Sequence, residues 1–137
     1  MLRIGHELVH PMTGERITVV AHSPEELILE DIWPLGHFVP PHRHPSMSER
    51  WHVLAGCVAI TIDGNETTLS DGQETSADRD QLHHARNVGE GPALVRMILK
   101  PSGRWLEFVE RLFRGEDPRT LLRDFPNEIA VDQASGA

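Results

Sequence analysis

His42 and His44 are separated by one residue, and Glu49 follows five positions after His44. In an extended strand the side chains at i and i+2 leave the same face, so both imidazoles can reach one point. A short turn through Pro45 and Ser46 would fold the Glu49 carboxylate back toward that point, and His83 opens a later segment on a different strand. Three neutral imidazoles and one carboxylate make a nitrogen-and-oxygen ligand set with no thiolate. Such a set suits one divalent transition metal: Fe, Mn, Ni, Cu or Zn. Four protein ligands in an octahedral sphere leave two adjacent positions open, where water, a carbonyl or dioxygen can be polarised or activated. The plainer alternative for the His42 and His44 pair is an exposed histidine-rich loop, against which the spacing of Glu49 speaks.

Side chains so far apart in sequence need a rigid frame. From residue 16 to 99 the chain runs in short β-like segments broken by Gly, Pro, Asp or Asn, the rhythm of an all-β barrel or sandwich. The clearest strands are 16–22, 27–33, 50–54, 57–62, 66–69 and 93–99, rich in Val, Ile, Leu and Thr. Asp63-Gly64-Asn65 is a tight-hairpin signal that would pair Ile60 and Ile62 back toward Thr68 or Leu69. After Pro101 and Gly103 the period changes: Trp105, Phe108, Val109 and Leu112 fall at helical spacing, predicting a helix that ends near Gly115. A second, short helix has Asp117 as N-cap, Pro118 in its first turn and Leu121, Leu122 and Phe125 on one side, and Pro126 stops it. The expected organisation is N-terminal strands over 1–26, a β-barrel core over 27–100, a helical appendage over 101–126 and a flexible tail over 127–137, thin in large apolar residues.

Composition bounds the partners. A length of 137 residues fits one domain. Thirteen Lys and Arg against 21 Asp and Glu leave a net charge of −8, which repels a phosphate backbone or an anionic membrane face. Neither nucleic acid nor membrane is an expected partner; a small-molecule substrate is. The lone cysteine, Cys57, forbids an internal disulfide framework, fits a reducing compartment and reads as a small core residue. No targeting segment or run of about 18 apolar residues is visible, so the expectation is a soluble, cytoplasmic protein.

Two longer patterns join these residues to a family. Gly36, five residues, His42, Arg43, His44, four residues, Glu49, six residues and Gly56 have the spacing of the first cupin motif. Gly72, five residues, Asp78, then Asp80, His83 and Asn87 have that of the second, with Asp78 and Asp80 standing where the family shows Pro and Gly. Over residues 27–100 the chain thus resembles a small single-domain cupin. The resemblance implies an all-β cupin barrel (a double-stranded β-helix, jelly-roll-like) with short C-terminal helices, and His42, His44, Glu49 and His83 as metal ligands. His84 adjoins His83, but alternation sends the two to opposite faces and the distance to Asn87 favours His83.

Around that centre, Trp51 and Val53 share parity with Glu49 and should line the cavity, while Phe38 and Met47 flank the first motif at its mouth. Arg96 shares parity with Leu94 and Ile98; with that face inward, its guanidinium would hold an anionic substrate, and it completes the expected pocket. His6, His10, His22 and His37 have no spacing that makes a second site and read as surface or packing residues. Trp105, Phe108 and Leu112 form a face that docks on the barrel or on a second subunit. Cupins commonly dimerise, so a homodimer is expected.

With this ligand set the resemblance implies a dioxygenase most often, in which Glu49 leaves the metal transiently to accept a proton. The alternatives are a non-redox isomerase, lyase or cyclase whose metal acts as a Lewis acid, a metal-containing binding module without turnover, and a storage-type barrel with an empty site.

Overall fold

Alternation of apolar and polar side chains decides which face of each segment turns inward. The computed structural model describes residues 4–131, and among these ten strands and two helices follow one another. They are β1 (Glu7–Val9), β2 (Arg16–His22), β3 (Leu27–Trp33), β4 (Phe38–His42), β5 (Ser48–Ala55), β6 (Cys57–Ile62), β7 (Asn65–Ser70), β8 (Glu74–Ala77), β9 (His83–Asn87), β10 (Ala93–Lys100), α1 (Trp105–Phe113) and α2 (Pro118–Asp124). The strands pair antiparallel into a six-stranded sheet, β1-β2-β3-β10-β5-β8, and a four-stranded sheet, β4-β9-β6-β7. Leu27, Leu29, Trp51, Val53, Val95 and Leu99 from the first sheet and Val58, Ile60 and Ala85 from the second share one buried core. This is the all-β, jelly-roll-like architecture with C-terminal helices that the sequence predicts. No helix among the described residues is long and apolar enough to cross a membrane.

The six clearest strands all form, each within two residues of its expected bounds. The β6–β7 register departs from expectation: Ile62 faces Asn65 and Ile60 faces Thr67, rather than Thr68 or Leu69. Asp63 and Gly64, with φ of 48° and 84°, form a two-residue turn, and that tighter loop sets the closer partners. At β4 the pattern was hard to read because Pro40 and Pro41 interrupt it. The strand lies at the edge of its sheet, where missing N–H donors are tolerated, and its pairing with β9 shifts register between Val39 and His42.

Gly56 joins β5 to β6 at φ +101°, and a Cβ there would stand 2.9 Å from the Cα of Ala93. Gly56→Ala therefore combines left-handed strain of ~1–2 kcal/mol with overpacking of ~1–3 kcal/mol. Urea unfolding should show a loss of about 2–5 kcal/mol, and a loss under about 1 kcal/mol would mean that the turn relaxes freely.

The helices close one end of the barrel. Asp117 caps α2 as expected, its side chain accepting from the Arg119 N–H at 2.9 Å. The segment after α2 departs from expectation. Glu128 is buried, Ile129 packs against the core, and Ala130 pairs with Arg43 through two backbone hydrogen bonds of 2.8 and 2.9 Å. Residues 127–131 are thus bound to the barrel rather than frayed, because the Glu128 carboxylate accepts from the Arg104 N–H at the start of α1 and replaces a side-chain cap there. The rest of the expected tail, 132–137, lies outside the described residues, as do residues 1–3 of the N-terminal segment.

Candidate metal centre

β4 ends at His42 and β9 begins at His83, and the two residues face each other in register. His44 follows β4 by two positions, and Glu49 enters from β5 in the other sheet. One ligand atom from each of these four buried residues lies within 4.8 Å of the others. The rings of His42, His44 and His83 stand 4.3–5.0 Å apart, centroid to centroid.

Each imidazole is held from behind. Nδ1 of His42 lies 2.8 Å from the Pro40 carbonyl, Nδ1 of His44 lies 2.8 Å from that of Glu128, and Nδ1 of His83 lies 3.0 Å from that of Gln81. A carbonyl only accepts, so each Nδ1 donates and each Nε2 is left for the shared centre. This is how metal-ligating histidines are oriented. Nε2 of His83 is buried without a hydrogen-bond partner, and Nε2 of His44 lies 2.8 Å from Oε1 of Glu49. Ligands at roughly 2.0–2.2 Å from one ion stand about 3 Å apart when adjacent, so the donor set fits a transition metal.

Burial and mutual contact set the electrostatics of the centre. Burial, with the neighbouring His44 and His83, pushes the His42 pKa down to about 3, so this ring is neutral and its lone pair free. Burial alone would raise the Glu49 carboxyl, but the His44 and His83 rings beside it, with Nε2 at 2.8 and 3.5 Å from Oε1, outweigh burial and hold the group ionised. Burial would lower His83, yet the Glu49 carboxylate wins and raises it.

The centre opens into a cavity of about 400 Å³, within the range typical of small-molecule sites. Of the other residues expected in the pocket, Trp51 lines it, edge-on to the His83 ring at 5.0 Å, and Phe38 lines it at the exposed rim. Three are placed elsewhere. Val53 points inward as parity requires, but it is consumed by the packed core and does not line the cavity. Met47 is buried against Gly103 instead of forming the mouth. Arg96 is on the outer face of β10 with Leu94 and Ile98, ion-paired to Glu30 on β3. The inward positions of β10 are Ala93, Val95, Met97 and Leu99, so no guanidinium enters from that strand.

Asp80, where the motif otherwise has Gly, adopts φ +67° and so makes the turn that glycine would make, which keeps His83 in place. A family model described as a cupin domain matches residues 28–99, more than half of the chain. This chain belongs to the cupin family. Among solved structures, KdgF from Halomonas sp. superposes with a TM-score of 0.65 at 24% identity, covering 70% of this chain and 86% of its own. An RmlC-like cupin from Shewanella frigidimarina also gives 0.65, at 16% identity over 73% of this chain and 87% of its own. A recombinant oxalate oxidase in complex with glycolate gives 0.57 at 19% identity, over 66% of this chain and 52% of its own. At these identities the likeness is one of fold. No curated protein matches the sequence.

This cupin's cavity has walls that the sequence pattern did not announce. Trp105, Phe108, Val109, Leu112 and Phe113 of α1 line it, so the apolar face of that helix is used within the chain. His10 and His37, expected as surface or packing residues, line it as well, together with Glu15, Asp31 and Trp33. Asp31 had a legible signal. It occupies the same face of β3 as Leu27, Leu29 and Trp33, where a carboxylate is out of place. Glu128 had none, since its role depends on residues far away in sequence.

Proposed function

We propose that this cupin is a metal-dependent enzyme that carries out a dioxygenase-type reaction on a small oxygenated organic molecule. The observation that supports this most is the set of three imidazoles and one carboxylate converging at the floor of an apolar cavity, with every ring held by a carbonyl. His42, His44, Glu49 and His83 would hold one divalent ion. That ion, if Fe, Mn or Cu, would supply both Lewis acidity and redox chemistry with dioxygen.

The chain's own residues supply the rest. Glu49 is held ionised, so its carboxylate can accept a proton from a substrate hydroxyl or enol at Oε1 or Oε2. Trp51, Trp105 and Phe108 give the cavity apolar walls against which an organic ring can pack.

Elemental analysis of protein purified without added metal, followed by oxygen-electrode assays against small phenols, enols and alcohols, tests the proposal. The expected result is iron, manganese or copper and one dioxygen consumed per product. Turnover of any of these compounds without oxygen uptake, or zinc alone with no uptake, would replace the proposal with Lewis-acid chemistry.

A further inference from the structure

Part of the cavity wall plays no role in holding the four candidate ligands. Asp31 is only 1% exposed. Its Oδ2 accepts from the Trp33 indole N–H at 2.9 Å, while its buried Oδ1 receives no N–H or hydroxyl donor and has the Glu15 carboxyl as a hydrogen-bonding neighbour when one of the two acids carries a proton. His37, whose side chain is 8% exposed, has a buried Nε2 that lacks a partner. Oε1 of Glu15 stands 3.7 Å from that nitrogen, beyond hydrogen-bond reach. Buried polar atoms in folded proteins are nearly always paired, and these three groups line the same cavity as His42, Glu49 and His83.

Strand register separates this polar group from the centre. Asp31 pairs with Val95, which pairs on its other side with Val53, four residues along β5 from Glu49. At ~3.3 Å per residue the two acidic positions are offset by roughly 13 Å along the strands. The cavity of about 400 Å³ has room for one substituted ring. Among the described residues that line the cavity there is no Lys and no Arg, whereas Glu15, Asp31 and Glu49 are all acidic. Aromatic side chains from Trp33, Phe38, Trp51, Trp105, Phe108 and Phe113 make up much of the remaining wall.

We propose that Glu15, Asp31 and His37 bind the hydrogen-bond-donating group, a hydroxyl or an ammonium, of a ring-sized and largely apolar ligand, and that the cavity discriminates against carboxylates and phosphates of similar size. This deepens the proposed function by assigning the substrate class, and rests on it only in that the ligand's other end would reach the metal. Asp31 Oδ1 gains a donor and His37 Nε2 a partner, the aromatic walls cover the ring, and an ammonium gains cation–π attraction. A carboxylate at this end would meet Glu15 and Asp31 and no Lys or Arg. Burial, reinforced by Glu15, raises the Asp31 carboxyl, and burial keeps His37 neutral, so this wall offers both donors and acceptors to a hydroxyl.

The test uses the full chain without metal, so it can fail while the metal reading stands. Three probes of one skeleton, 2-phenylethanol, 2-phenylethylamine and phenylacetate, are titrated while the Trp33 indole N–H signal is followed by NMR. The alcohol and the amine are expected to shift that signal saturably, with phenylacetate at least roughly ten-fold weaker, a difference of about 1.4 kcal/mol. Asp31→Asn should weaken the amine more than the alcohol. Equal binding of phenylacetate, or no movement of Trp33 with any probe, overturns the proposal and leaves ordered water as the occupant.

Melting temperature gives a second readout. Glu15 on the β1–β2 connection and, from farther off, Glu49 on β5 act on the Asp31 carboxyl, and His10 and His37 line the same cavity. With its folded pKa raised, Asp31 contributes stability below its unfolded value near 3.8 and loses it as pH rises through the folded value. Asp31→Asn should therefore melt a few degrees higher than the parent at pH 7 and show no gain at pH 3 (about 2–4 °C per kcal/mol relieved). A lower melting temperature at both pH values would make Asp31 a structural residue and overturn the assignment.

Discussion

His42→Ala protein is expected to retain its fold and lose its metal. The parent should carry about one ion per chain, since one four-residue cluster is present among the described residues. In the variant, elemental analysis should find only a trace. Loss of an outer partner of a ligand already costs about 10–100-fold in metal affinity, and loss of the ligand itself removes more. Stability separates metal loss from misfolding. The His42 side chain makes one hydrogen bond, to the Pro40 carbonyl, so the metal-free variant should lose only about 0.5–1.5 kcal/mol against the metal-free parent. Added metal should stabilise the parent by about 2.7 kcal/mol at a hundred times its Kd and leave the variant unmoved. Equal metal stabilisation of both proteins would remove His42 from the ligand set, and with it the proposed chemistry.

The ligand cluster was legible in the sequence because two of its spacings are local. His42-x-His44 uses strand parity, and Glu49 begins the next strand, so backbone geometry alone restricts where these side chains go. The six long strands were legible for a different reason: runs such as Leu27–Trp33 and Ala93–Lys100 are dense in Val, Ile and Leu and are bounded by Gly, Pro, Asp or Asn. What could not be read is what depends on the far partner. Arg96 and Met97 are both compatible with either face until the register with β3 and β5 is known, and the structure turns Met97 to the cavity and Arg96 out to Glu30. Asp31 stood out as a carboxylate on an apolar face, but its meeting with Glu15 arises from the β1–β2 hairpin, which extends the sheet beside β3, and no sequence spacing announces it. The segment 127–131 looked frayed because its anchors, a buried carboxylate and one isolated bridge to Arg43, carry no apolar pattern.

That segment makes Phe125 the residue where fold and site are most tightly joined, and Phe125→Ala is expected to damage both. Its side chain is fully buried, edge-on to Phe108 at 5.6 Å, with the Arg104 and Arg111 guanidinium carbons 4.4 and 5.3 Å from its ring centre. Truncating a buried Phe costs about 3–5 kcal/mol, which for a chain of this size lowers the melting temperature by roughly 10–20 °C. Its carbonyl accepts from the N–H groups of Glu128 and Ile129, and so sets the turn that brings Glu128 back to the barrel. There the Glu128 carbonyl accepts from Nδ1 of His44, and its carboxylate accepts from the Arg104 N–H. Loosening that turn frees the His44 ring, so metal affinity should fall by about 10–100-fold, the usual cost of losing a partner that orients a ligand. Leu69→Ala is the control: Leu69 is buried on β7, which β6 separates from the strand that carries His83. It should lower stability by about 2–5 kcal/mol and leave metal affinity unchanged. If Phe125→Ala and Leu69→Ala both destabilise the protein and neither weakens metal binding, the C-terminal segment stabilises the barrel without orienting His44.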